Sequence, residues 1–96
     1  MSPTNKKRLD LLRIKLDMLD TDLLKLIKKR SNLVNEVLKV KTHKNEIIDQ
    51  KRINFILKKI KKKSIQLNID PKITNRIWKN MIWSFIDYEK RNFKKK

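Results

Sequence analysis

Residues 9–40 read LDLLRIKLDMLDTDLLKLIKKRSNLVNEVLKV. Within them Leu9, Leu12, Leu16, Leu19, Leu23, Leu26, Arg30, Leu33, Val37 and Val40 recur at spacings of three and four. That alternation places every member on one stripe of an α-helix, so the stretch predicts a single long helix with one apolar seam. The seam has one foreign member, Arg30. A guanidinium on a buried face is costly unless an anion meets it, so Arg30 is expected either to pair with a carboxylate of the protein or to hold an anionic ligand.

Outward from this stretch the elements are few. Thr4 or Asn5 can cap the first helix, which then runs to about Thr42, roughly 37 residues and 55 Å at 1.5 Å per residue. A helix so long in a 96-residue chain cannot bury its stripe against two shorter helices alone. A second copy, most simply in a two-fold dimer, is therefore expected. His43–Ile48 is a polar break. A second helix is expected from Ile48 or Asp49 to about Ile65, with Ile53, Ile56, Leu57 and Ile60 on its apolar face. The lysines from Lys58 to Lys63 lie toward its C-terminus, where the macrodipole favours cations. Asp70-Pro71 then marks an N-cap followed by proline at the first helical position, which starts a third helix that runs to about Asn92. The expected fold class is all-α, with three helices per subunit in one domain over residues 1–96 and a basic tail at 93–96.

Composition narrows the classes further. The chain has no glycine and two prolines, which argues against glycine-rich phosphate loops and turns that need positive φ. It has no cysteine, which removes disulfides, thiolate metal sites and cysteine nucleophiles and suits a reducing, cytoplasmic location. No apolar run nears the roughly 20 residues of a membrane span, and the polar start does not read as a signal peptide. The formal charge is +17, and 21 of the 27 basic residues are lysines spread over all segments. That spread reads as a solvated basic surface in preference to a nucleic-acid patch, and it would steer any small dianion toward the protein.

Several polar residues sit where they could do chemistry. Arg30 and Lys41 are eleven residues apart, a 20° offset on a helix and about 16 Å along its axis. Two long cations reaching toward each other leave room for a small dianion, unless both side chains extend to solvent. Asp49 and Arg52, at i and i+3, share a face near the start of helix two; taken alone the pair is a weak surface ion pair. On helix three, Trp78, Ile82, Phe85 and Glu89 form a stripe that a carboxylate closes; Glu89 either meets a ligand there or turns to water or a lysine. Trp78, Trp83, Phe85 and Tyr88 read as core or rim aromatics. His43 stands alone, so no metal site is expected. Ser64 and Ser84 lack a histidine base, and nucleophilic catalysis has no support.

Taken in order, these residues resemble a known family. Arg13-Ile-Lys-Leu-Asp-Met-Leu-Asp20, then Leu23-Leu24, Lys29-Arg30 and Val40-Lys41 are similar to the first helix of the all-helical (AroQ-class) chorismate mutases. Asp49-Gln-Lys-Arg52 matches that family's Asp-x-x-Arg, and Glu89 matches the Gln or Glu of its last helix. The resemblance covers roughly residues 8–92. It implies an intertwined homodimer that rearranges chorismate to prephenate, in aromatic amino-acid biosynthesis, without cofactor or metal. By that similarity Arg30 and the partner's Arg13 bind the substrate carboxylates, and Lys41 and Glu89 flank the ether oxygen. Asp49 holds the ring hydroxyl, Arg52 supports the polar wall, and Phe85 lies on the ring side. The spacing agrees: Arg13 and Arg30 lie about 25 Å apart on one helix and meet only across an antiparallel pair whose axis passes near residues 21 and 22.

There are departures. Phe85 stands where the best-known bacterial pattern has a small hydroxyl residue, and Ile53 stands where it has an acid. Trp83-Ser-Phe-Ile-Asp-Tyr-Glu89 also resembles the last helix of the isochorismate–pyruvate lyases, which share the fold, although Asp49 favours the mutase. A basic, non-enzymatic helical dimer that binds nucleic acid is the third reading, and it leaves Arg30 and Glu89 without a role.

Overall fold

A computed structural model of the chain describes residues 2–94. Three α-helices appear in order, α1 (Pro3–Val40), α2 (Gln50–Gln66) and α3 (Pro71–Asn92), with a short 3-10 turn (Lys44–Glu46) between the first two. No strand occurs among the described residues. Lys95 and Lys96 of the expected basic tail lie outside them. No helix among the described residues is long and apolar enough to cross a membrane. The chain divides into two units, one ending at Leu33 and one beginning at Val34.

The first unit is α1 up to Leu33. The helix starts earlier than Thr4 or Asn5: Ser2 is the cap, its Oγ accepting the N–H of Asn5 at 3.1 Å. Pro3 at the first helical position has its φ already set for a helix and loses no bond there, which moves the start ahead of the other candidates. α1 has 38 residues, about 57 Å of helix. No residue of α1 is buried. Leu9 is half-buried, and the seam leucines after it remain open, from 53% exposed at Leu12 to 66% at Leu33.

The second unit holds the core. Ile47, Ile53, Ile82 and Ile86 are buried together, with Ile56, Leu57, Trp78 and Phe93 packed against them. Ile53, Ile56, Leu57 and Ile60 supply one face of α2, as their spacing predicts. Ile47 comes from the connection, a segment that reads as polar, yet it is only 3% exposed. Glu46 makes that possible by closing the turn before it: its carboxylate accepts from Thr42 Oγ1 at 2.9 Å and from the His43 N–H at 3.3 Å.

α2 and α3 pack antiparallel, because the start of α2 (Ile53) meets the far half of α3 (Ile82, Ile86) while the end of α2 meets its beginning. At that end Ser64 and Thr74 share a buried hydroxyl hydrogen bond of 2.7 Å, and Ser64 also reaches the Ile60 carbonyl at 2.6 Å. The reversal uses a positive-φ residue after all. Asn68 has φ 57°, and the N–H groups of Asn68 and Ile69 return to the carbonyls of Ile65 and Ser64 at 3.2 and 2.9 Å. In a chain without glycine, asparagine is the residue that enters this region at least cost, so it ends the helix in glycine's place. Asp70 then caps α3 through Lys72 N–H at 2.9 Å, with Pro71 at the first helical position, as the sequence predicts.

Candidate active site

The second unit brings together two of the residues singled out by sequence. Lys41 is the first residue beyond α1, and its Nζ lies 3.0 Å from Glu89 Oε1 on α3. Side-chain exposure is 17% for Lys41 and 7% for Glu89. Glu89 reaches this place because it is one turn past Phe85 and two past Ile82, on the face of α3 that carries the core. The carboxylate that closes the apolar stripe therefore meets a cation instead of solvent. A largely buried pair is strongly destabilised by losing one member, since the other is left uncompensated. It is also chemically open. An ammonium has three donors and the bond to Glu89 uses one, so Lys41 retains donors for a further acceptor.

At the start of α2 the structure corrects one expectation. Asp49 and Arg52 do not form an ion pair through their side chains. Asp49 is the N-cap of α2, and its Oδ1 accepts the backbone N–H of Arg52 at 3.0 Å. An orphan N–H in the first helical turn is the nearer and better-aligned donor. The Arg52 guanidinium lies over the ring of Phe55, 5.4 Å from its centroid, with Lys59 Nζ 5.8 Å from the same centroid. Asp49 and Arg52 are both exposed, while Phe85 is half-buried on α3 one turn before Glu89.

Arg13 and Arg30 belong to the first unit. Arg13 is exposed and Arg30 half-buried, and on one helix they stand about 25 Å apart. A single chain does not bring these two guanidiniums to one ligand.

Two features were missed by sequence reasoning. Tyr88 Oη donates to Asn35 Oδ1 at 2.8 Å in a partly buried hydrogen bond. The half-buried positions of α1 in this unit are Val34, Asn35 and Leu38, not the seam residues Val37 and Val40. The last two turns of the helix thus half-bury a second, less regular stripe, displaced by one residue from the leucine seam. An apolar pair at Val34 and Leu38 with Lys41 one turn on was the available signal, but the longer seam overshadowed it. Beside the Tyr88–Asn35 bond lies an open cleft of about 410 Å³, also lined by Leu38, Asn92 and Phe93. Neither Lys41 nor Glu89 lines it, so it is separate from the ion pair. Ser64 and Ser84 spend their hydroxyls on backbone carbonyls, those of Ile60 and Asn80.

A family model for chorismate mutase type II matches residues 12–90. The chain belongs to this family. The matched span opens one residue before Arg13 and closes one after Glu89, so it contains every candidate site residue. Chorismate mutases are isomerases, and the all-helical fold with its long first helix fits the assignment. No curated protein and no solved structure gives a significant match.

Proposed function

We propose that a two-fold dimer of this chain rearranges chorismate to prephenate without a cofactor. The observation that carries this reading is the partly buried Lys41–Glu89 pair inside the family-matched span. The reaction is unimolecular. It needs no base or nucleophile, only a compact conformer of the substrate and positive charge where the breaking carbon–oxygen bond leaves electrons. Lys41 has the free donors to meet that ether oxygen. Glu89 holds the ammonium in place. A preorganised donor at such a point is typically worth about 3 kcal/mol of barrier.

The rest of the pocket follows from the family resemblance. Arg30 and the partner's Arg13 take the two carboxylates, Asp49 the ring hydroxyl, Arg52 the polar wall and Phe85 the ring side. The open leucine seam supports the dimer this needs, because a helix draws most of its stability in water from packing its apolar face.

The direct test is to incubate the purified protein with chorismate and follow its loss and the appearance of prephenate. Lys41→Met should lower kcat by about a hundredfold or more. No turnover of chorismate, with isochorismate cleaved to pyruvate instead, would replace the mutase with the lyase. Mixing inactive Arg13→Ala and Arg30→Ala subunits should restore part of the activity, since one site of each heterodimer keeps both arginines. Heterodimers that form and stay inactive would rule out the shared site.

A further inference from the structure

Tyr88 and Glu89 are neighbours on α3, and each holds a different residue of the segment leading out of α1. Tyr88 donates to Asn35 at 2.8 Å, and Glu89 pairs with Lys41 at 3.0 Å. Asn35 and Lys41 are six residues apart, about 9 Å along a helix. Two attachments at that separation fix the distance of the segment from α3 and also its rotation. One attachment alone would leave it free to pivot.

Apolar packing does little to replace them. Val37 and Val40 are exposed, and only Val34 and Leu38 are half-buried. Lys41 is also badly placed to hold itself. It stands one residue past the end of α1, keeping only a terminal helical bond from its N–H to the Val37 carbonyl at 3.2 Å. Helix ends fray. The Tyr88 hydroxyl, for its part, has no role in the proposed reaction.

We infer that the Tyr88–Asn35 hydrogen bond is a positioning device for Lys41, holding the end of α1 on α3 so that the ammonium stays on Glu89 and aimed at the substrate. Tyr88 and Asn35 are positioning residues, since they act through Lys41 and touch no reacting atom. The kinetic consequence rests on the proposed reaction; the effect on Lys41 itself does not.

Tyr88→Phe removes the hydroxyl and keeps the ring. In that variant kcat should fall by about 5- to 100-fold, the range expected from misplacing a catalytic group by up to an ångström, with KM little changed. Asn35→Asp keeps an acceptor oxygen and should retain most of the rate, whereas Asn35→Leu should not. The double variant Tyr88→Phe/Asn35→Leu should be no slower than the worse single one, because both remove the same bond.

A second measurement needs no turnover. Amine acetylation followed by mass spectrometry should find Lys41 modified more slowly than Lys39, whose side chain is 72% exposed. In Tyr88→Phe the Lys41 rate should rise severalfold while the Lys39 rate stays put. Wild-type kcat in Tyr88→Phe, or an unchanged Lys41 acetylation rate, would overturn the inference. If the wild type fails to turn over chorismate, the proposed function falls and the acetylation result alone decides the positioning role.

Discussion

Up to Leu33 the chain presents leucines at regular helical spacing, and every seam leucine from Leu12 to Leu33 is more than half exposed. From Val34 onward the apolar residues are less regularly spaced, yet Ile47, Ile53, Ile82 and Ile86 are each at most 6% exposed. Regular spacing does not decide which region is buried. What separates them is a chain reversal: Asn68, Asp70 and Pro71 fold α3 back on α2 within four residues, so two apolar faces meet in one chain. α1 up to Leu33 has no such reversal. A stripe specifies which face of a helix is apolar; a partner has to be delivered by a turn or by another molecule.

The largest effect is expected from attacking the open seam. Leu19→Glu with Leu23→Glu puts charge beside the proposed two-fold axis. Light scattering should show the mass falling from two chains to one, with loss of helicity and of mutase activity. A variant that remains a dimer would break the assignment of a second copy to this seam. Ile86→Ala, in the closed region, should cost about 2–5 kcal/mol in urea denaturation through the cavity it leaves. The two variants sharpen the comparison together. Loss from a seam change should depend on protein concentration, as dimer stability does, while loss at the isoleucine core should be dominated by the subunit's own packing.

Smaller effects probe the turns that make the second region close. Asn68→Ala should destabilise by about 1–2 kcal/mol, the penalty for a side chain with a Cβ at positive φ and no local polar compensation. Asn68→Gly should be nearly neutral in the same measurement. The smallest effect concerns Glu46. Its carboxyl is held below the ordinary value of 4.5 chiefly by the Thr42 hydroxyl, helped by backbone N–H groups. A carboxyl lowered in the folded state adds stability that is present above its ordinary value and is lost as pH falls through the folded one. Carbon-13 titration of Glu46 should therefore show a midpoint below 4.5, moving back toward it in Thr42→Val. A midpoint already at 4.5 in the wild type would remove the turn as the device that seats Ile47.

Much of the fold was legible beforehand. Asp70-Pro71 is a local signal, complete within two residues, and α3 begins where it says. The α2 face was equally plain from Ile53, Ile56, Leu57 and Ile60. Ile47 was not, because a single apolar residue between polar neighbours has no period to announce it. Asp49 stands out in the sequence beside Arg52, but its carboxylate turns to a backbone N–H, a choice made by cap geometry that side-chain spacing does not display. Asn35 and Tyr88 were invisible as a pair. They are 53 residues apart, and no local rule links an amide on one helix to a phenol on another.

By itself the sequence determined three helices, the ends of α3, and the chemical character of the site residues, because capping, periodicity and charge act over a few residues. Only the tertiary structure decided that Lys41 meets Glu89, that Asn35 meets Tyr88, and that Val34, Asn35 and Leu38, not Val37 and Val40, are the half-buried positions at the end of α1. Those outcomes depend on how one helix lies against another. That is settled by a turn and by which side chains remain satisfied once two surfaces are brought together.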